Sequence, residues 1–309
     1  VTLHGGTVEV HGHRGARGLR PENTLPGFAH ALELGVDALE LDVGRTADGV
    51  VVLNHDQVLS ALNVADTAPA TAGDPLFPYV GRAIGELTLA QVRTLDAGLR
   101  RPTSDDDPFV LTQRPAPGTG LPTLAEACAL IGPAAPVKLA VELKTDPSWP
   151  DARVERLTVD VAAVLDAHGL TGRSRLLAFD WRVLAAAARH APGLGRVALI
   201  ERKTLAPGTA WLAGLPPEDP VGAALSIGAT ALSPERRLAG RSLIEDAHAL
   251  GLPVVVWTVN DPTAMHYYTA LGADAIVTDY PDRLRAVLTA RGLPLPAPAR
   301  VPVPVPVPS

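Results

Sequence analysis

Residues 11–56, HGHRGARGLRPENTLPGFAHALELGVDALELDVGRTADGVVVLNHD, crowd ionisable side chains between short apolar runs. From Ala38 to Val43 the pattern alternates, with Leu39 and Leu41 on one face and Glu40 and Asp42 on the other, as the two-residue period of a strand requires. Two carboxylates therefore stand side by side. Asp48 and Gly49 supply a two-residue hairpin signal, and the β-branched run Val50 to Val52 returns towards His55. A turn centred between Asp48 and Gly49 sets residue 42 opposite residue 55. Upstream, Val8 to His13 reads as a strand ending in a second imidazole, followed by Arg14 and by glycines at 15 and 18 that permit sharp turns. Two carboxylates, two imidazoles and a guanidinium can then meet at one place.

The flanking chain extends this into an architecture. Pro21 to Thr24 makes a turn and cap, and Leu25, Phe28, Ala29 and Leu32 recur at helical spacing until Gly35. Gln57 to Leu121 is looser, rich in proline, glycine, aspartate and threonine, with one helix expected over Leu87 to Leu95. We read it as an insertion or long loop, either gating a functional mouth or ornamental. Beyond Pro122 come a helix at 123–131 and a strand from Lys138 to Leu143. Further strands are expected at Arg175–Phe179, Val197–Ile200, Ala229–Leu232, Val254–Val259 and Ala275–Thr278, separated by helical runs. With the strands at 8–13 and 38–43 this makes eight, and the 50–55 strand is a hairpin accessory. The pattern is that of a (β/α)8 TIM barrel over residues 1–292, with the insertion following the second barrel strand. An open doubly wound sheet is the competing architecture, but no Gly-rich dinucleotide fingerprint follows a strand. Leu293 to Ser309 places proline at nearly every second position, which favours extended polyproline II and a semi-rigid tail.

A net charge of −6 and a pI near 5.8, with no Lys/Arg block, argue against nucleic acid or an anionic membrane as main partner and favour a small soluble substrate. Cys128 is the only cysteine, which excludes an intramolecular disulfide and a thiolate zinc site; its place in an apolar stripe with Leu124 and Ile131 points to core packing. No stretch approaches the roughly 20 apolar residues of a membrane span. Val1 in place of Met is compatible with a cytoplasmic protein or with a secreted one whose leader was removed.

In such barrels functional groups gather at the carboxyl ends of the strands. His13 and Arg14 end the first expected strand, Glu40 and Asp42 the second, Glu142 and Lys144 the third. Three inward carboxylates repel one another unless a cation neutralises them, and oxygen-only ligands suit Ca²⁺ or Mg²⁺ better than zinc. Arg14 and Lys144 can offset the charge of a phosphoryl group, and His13 and His55 can move protons near neutrality. The inventory fits attack on a phosphodiester. The bland reading pairs Glu40 with Arg14 and Glu142 with Lys144 inside the barrel. Trp257, Asn260, Thr278, Asp279, Phe179 and Asp180 also stand at strand ends; the Trp257 indole can wall the pocket for the alcohol part of a substrate, while packing or capping accounts for each of them nearly as well. His4, His11, His30, His168, His190, His248 and His266 read as terminal, adjacent or helix-surface residues.

Taken in order, GHRGARGLRPENT, ELDV with TADG and NHD after it, VELK, AFD, WTVND and GADAIVTDYP resemble the glycerophosphodiester phosphodiesterase family over about residues 9–286. The resemblance implies a metal-dependent barrel enzyme that hydrolyses a glycerophosphodiester to glycerol 3-phosphate and an alcohol. By position, His13 and His55 look like the family's acid and base, Glu40, Asp42 and Glu142 like its metal ligands, Arg14 and Lys144 like its phosphate-side cations, and Trp257 like its pocket tryptophan. The family's basic, threonine-rich continuation after Asp56 is replaced by LSALNVADTAPAT, which bears on substrate choice. Two other readings compete: a lysophospholipase D-like or phospholipase-like enzyme acting on a lipid with the same residues, and a non-catalytic barrel that holds a phosphorylated ligand.

Overall fold

The computed structural model describes residues 6–301. In chain order the elements begin with β1 (Glu9–Gly12), α1 (Leu25–Leu34), β2 (Ala38–Arg45), β3 (Val51–Leu53) and β4 (Ala65–Asp66). Next come α2 (Leu89–Val92), β5 (Leu95–Asp96), α3 (Leu124–Ile131), β6 (Lys138–Leu143), α4 (Asp151–Ala167), β7 (Ser174–Ala178) and α5 (Arg182–His190). The chain continues through β8 (Gly195–Ile200), α6 (Pro220–Ser226), β9 (Ala231–Pro234) and α7 (Arg241–Ala249), and then β10 (Val255–Val256), α8 (Pro262–Leu271), β11 (Ala275–Thr278) and α9 (Pro281–Ala290).

Eight of these strands pair in parallel in the order β10-β11-β1-β2-β6-β7-β8-β9, and parallel bridges Leu232–Val254 and Glu235–Trp257 draw β9 to β10. The expected (β/α)8 barrel is thus present, nearly closed. Alternation sorts the side chains as the sequence indicates: Leu39, Leu41, Val141 and Leu176 join the large core between strands and helices, while Ala140, Leu177, Val197, Leu199 and Ala231 fill the barrel itself. Helix starts follow local chemistry. The Thr24 hydroxyl accepts from Gly27 N–H ahead of α1, the Asp261 carboxylate accepts from Ala264 N–H ahead of α8, and each helix has proline in its first turn.

Several boundaries differ from expectation. The strand expected over 254–259 is regular only at Val255–Val256, because Pro253 before it and Pro234 on the neighbouring strand offer no backbone N–H. The helix expected over 87–95 is one turn, held by a capping box between Thr88 and Gln91, after which the chain passes into β5. Residues 57–121 are also more ordered than a loop. β4 and β5 pair antiparallel, and Leu59, Val64, Tyr79, Ile84, Leu87, Val92, Leu95 and Leu121 form their own apolar cluster on Val52 of β3. The tail, expected to be semi-rigid and extended, folds back as far as it is described: Ala299 N–H donates to Leu32 C=O at 2.8 Å and Arg285 to Pro296 C=O at 2.7 Å. Its last residues, 302–309, and His4 lie outside the described residues. No described helix is long and apolar enough to cross a membrane.

Candidate active site

β1 ends in a tight turn that aims two side chains at the barrel mouth. A Cβ on Gly12 would fall 2.2 Å from the Gly15 carbonyl oxygen, so only glycine admits that approach. Arg14 then adopts φ +51°, the left-handed region that non-glycine residues rarely occupy. Its reward in contacts is visible: Arg14 N–H donates to Glu40 Oε2 at 2.9 Å, and its guanidinium reaches Glu22 at 2.9 Å and Asp42 Oδ2 at 3.0 Å.

β2 and β6 pair with Asp42 directly opposite Glu142 and Glu40 one inward position below. The three carboxylates are buried, and one oxygen of each lies within 4.8 Å of the others. The expected repulsion is partly relieved by the chain's own cations, since Lys144 Nζ approaches Asp42 Oδ1 at 2.9 Å and also pairs with Glu142. The bland Lys144–Glu142 pair therefore exists, whereas Arg14 pairs with Asp42 and Glu22 and touches Glu40 only through its backbone. Burial pushes Asp42 up, but Lys144 and Arg14 outweigh it and hold the carboxylate well below its ordinary range. Glu40 goes the other way: burial, then repulsion from Asp42 and Glu142, raises it well above the usual value. Its Oε1 is buried with no hydrogen-bond partner among the described residues. An orphaned carboxylate oxygen beside two more carboxylates, with oxygen donors only, fits a hard divalent cation.

Both histidines are held through Nδ1. His13 Nδ1 lies 2.7 Å from Asp279 Oδ1, and His55 Nδ1 lies 2.7 Å from Asp56 Oδ1. Each ring therefore presents Nε2 to the cavity, His13 Nε2 standing 3.8 Å from Glu40 Oε2. Burial pushes His13 down to about 4, against the opposing pull of Asp279, so at pH 7 its Nε2 carries a free lone pair. Asp279 is engaged on both oxygens, accepting also from Arg17 Nε at 2.9 Å and from Asn260 Nδ2 at 2.6 Å.

The hairpin delivers His55 with a different register from the one expected. Val43 pairs with Leu53 and Arg45 with Val51, and Asn54 N–H donates to Asp42 C=O at 3.2 Å, so residue 54 faces residue 42. Asp48 and Gly49 are not the two centres of the turn. Thr46 and Val50 close a three-residue loop in which Gly49, at φ +90°, takes the left-handed position. His55 still reaches the cavity because the strand stops at Leu53 and the chain bends.

A cavity of about 390 Å³ joins these parts. His13, Arg14, Glu40, His55, Glu142 and Lys144 line it from β1, β2 and β6, and Leu177, Phe179, Leu199, Trp257 and Val277 line the remaining arc. Trp257 packs edge-on against Phe179, ring centroids 5.5 Å apart, and donates its indole N–H to Ser233 C=O at 3.0 Å. All eight residues singled out from the sequence thus border the cavity or, for Asp42, lie beneath it. Sequence reasoning gave Asp279 low weight and passed over Glu22, Asn23 and Asp56 as site residues. Asn23 clamps Asp42, donating to Oδ2 at 2.8 Å and accepting its N–H at 3.1 Å. The available signals were the ENT triplet after the first turn and the aspartate beside each histidine or strand end.

Comparison with known proteins places this geometry. The model of the glycerophosphoryl diester phosphodiesterase family matches residues 13–283. A glycerophosphodiester phosphodiesterase of Caldanaerobacter subterraneus subsp. tengcongensis is 28% identical over 276 residues, 88% of this chain and 94% of the relative. The crystal structure of a Silicibacter pomeroyi protein assigned as a glycerophosphoryl diester phosphodiesterase superposes with TM-score 0.81 at 32% identity, covering 95% of this chain and 97% of that one. An Oleispira antarctica phosphodiesterase, solved with the product sn-glycerol-3-phosphate, shares the fold with TM-score 0.68 at 24% identity over 92% of this chain and 97% of its own. With the family model spanning nearly its whole length, the chain belongs to the glycerophosphoryl diester phosphodiesterase family and is a phosphoric diester hydrolase.

Proposed function

We propose that the chain hydrolyses a glycerophosphodiester to glycerol 3-phosphate and an alcohol, with one divalent cation, Ca²⁺ or Mg²⁺, held by Glu40, Asp42 and Glu142. The observation that carries the reading is the pair of aspartate-held histidines facing a buried acidic trio across one cavity. The product bound by the Oleispira antarctica relative supports the same substrate class. When bound, the cation supplies Lewis-acid polarisation of the phosphoryl group. Arg14 and Lys144 offset the remaining negative charge of the phosphodiester. His13, neutral at pH 7, takes the proton of the attacking hydroxyl at Nε2, and His55 gives one to the departing alkoxide; in a two-step reaction the two exchange roles. Asp279 holds His13 as the Nδ1–H tautomer that leaves Nε2 free to accept, and Asp56 orients the His55 ring so that its Nε2 side faces the leaving group. The apolar arc around Trp257 receives the organic part of the substrate. The deciding experiment is hydrolysis of a glycerophosphodiester panel after chelation, with Ca²⁺, Mg²⁺ or Mn²⁺ restored singly. Turnover that survives chelation, or that persists in His13→Ala and His55→Ala, ends the proposal.

One observation favours action on lipid aggregates as a second reading. Leu111 and Val110 are exposed, Leu111 by 94%, next to Phe109, whose ring lies 4.9 Å from the guanidinium of Arg17 at the cavity edge. A rate jump as a lysophospholipid passes its critical micelle concentration, abolished in Leu111→Asp, supports that reading; equal rates on monomers and micelles refute it.

A further inference from the structure

The end of the barrel away from His13 holds a second cavity. This one, about 280 Å³, lies where β6 to β9 begin, with Lys138, Arg173, Ser174, Arg175, Gly195 and Thr230 among its lining. It is independent of the hydrolytic site.

Its charges are unbalanced. Arg175 is only 8% exposed, yet among the described residues its guanidinium has no hydrogen-bond acceptor, and the nearest carboxylate oxygen, Glu9 Oε2, is 4.0 Å away. Glu9 is already engaged by Lys138 Nζ at 2.6 Å and by His11 Nε2 at 2.9 Å. Arg173 spends two N–H groups on the backbone carbonyls of Val137 and Gly132 and has no carboxylate partner among the described residues. Ser174 Oγ is buried without a partner among the described residues. A guanidinium is a fork of five donors that cannot shed its charge, and burying one without acceptors is strongly unfavourable. Room beside it is kept open as well, since a Cβ on Gly195 would fall 2.9 Å from the Arg175 Cβ.

We propose that this amino-terminal mouth of the barrel is an anion site that takes a dianionic phosphate group on Arg175, Arg173 and Lys138. With Glu9 drawn to Lys138 and His11, neither arginine has a close carboxylate among the described residues, and a phosphate dianion supplies the acceptor oxygens that the guanidinium fork lacks. The volume holds phosphate with a short organic arm, so the group arrives as free phosphate or as a small phosphate monoester. The competing account is an ionic plug, in which Arg175 merely faces Glu9 across water.

Calorimetric titration of the metal-loaded full chain with inorganic phosphate, and separately with glycerol 3-phosphate, distinguishes these. Inhibition constants for hydrolysis are measured with the same probes. The expected result is two binding events per chain, one matching the inhibition constant. The other weakens at least tenfold in Arg175→Gln, whose kcat, KM and inhibition constants stay at the unmodified values. Should Arg175→Gln fail to fold by circular dichroism, Lys138→Met, at the cavity rim, serves as the second variant and weakens the same event severalfold. Stronger second-site binding of phosphate assigns the free ion, and stronger binding of glycerol 3-phosphate assigns the monoester. A single event equal to the inhibition constant, or a second event untouched by both variants, overturns the proposal.

Discussion

Replacing Asp279 with asparagine keeps the shape of the side chain and removes one charge. In the native site its two oxygens accept from His13 Nδ1 at 2.7 Å, Arg17 Nε at 2.9 Å and Nη2 at 3.1 Å, and Asn260 Nδ2 at 2.6 Å. Asparagine has one acceptor oxygen, so its NH₂ must face one pair of these donors, and Arg17 loses its buried counter-charge. Two charge-assisted bonds at about 1.5–3 kcal/mol each set the stability loss at about 3–6 kcal/mol. The kinetic effect is larger in kind. With no carboxylate at Nδ1 the ring can present N–H to the cavity in place of the lone pair, and an imidazolium formed there lacks its partner. Loss of such an orienting carboxylate lowers kcat by about 10²–10⁴. KM moves little, because Arg14 and Lys144, the proposed phosphate-side groups, are untouched. Steady-state kinetics on a glycerophosphodiester at saturating metal, with circular dichroism and thermal melts as fold controls, measures both effects. A folded Asp279→Asn enzyme whose kcat stays within about threefold of the unmodified value would show that His13 does not need its tautomer fixed, and so does not work as argued.

Three other outcomes follow from the same geometry. His13 is pushed from 6.5 to about 4 by burial, so the unfolded chain binds a proton that the folded chain refuses; folding stability is intact above about pH 6.5 and falls as pH drops towards 4, by up to about 3 kcal/mol. The difference in melting temperature between the unmodified protein and His13→Gln, followed from pH 7 to pH 4, should narrow on acidification, and parallel curves would contradict the assignment. Glu40→Gln removes the most repelled carboxylate and gives its buried oxygen position a neutral group, so in chelator the variant should melt roughly 2–6 °C higher while hydrolysis with metal falls at least about 10²-fold; a lower melting temperature would count against the crowding. Gly12→Ala drives a methyl into the Gly15 carbonyl, costing about 1–3 kcal/mol in a denaturant melt and displacing His13, with kcat falling alongside stability; an alanine enzyme of native stability would refute the close approach.

The barrel was readable because its evidence is local. Leu39-Glu40-Leu41-Asp42 and Val141-Glu142-Leu143-Lys144 show the same alternation, and the structure pairs Asp42 with Glu142 in register. What was misread depends on contacts that sequence neighbours do not disclose. Asp279 meets His13 across 266 positions, and nothing near Thr278 distinguishes a histidine's partner from a helix cap. Asp48-Gly49 carried the right turn residues, but they suit both a two-residue turn and a three-residue loop with a left-handed glycine, and only the cross-strand pairing of Val43 with Leu53 chooses between them. The order within residues 57–121 came from Val52, Tyr79 and Leu121 meeting in space, a tertiary pattern with no period along the chain.

The separate apolar cluster over β3 has a consequence for how such a protein can change. Because Leu59, Tyr79, Ile84 and Leu95 bury their area mainly against one another and Val52, mutations there are absorbed locally, while the staves beneath keep their own packing. Selection can therefore redraw the porch without disturbing the foundations.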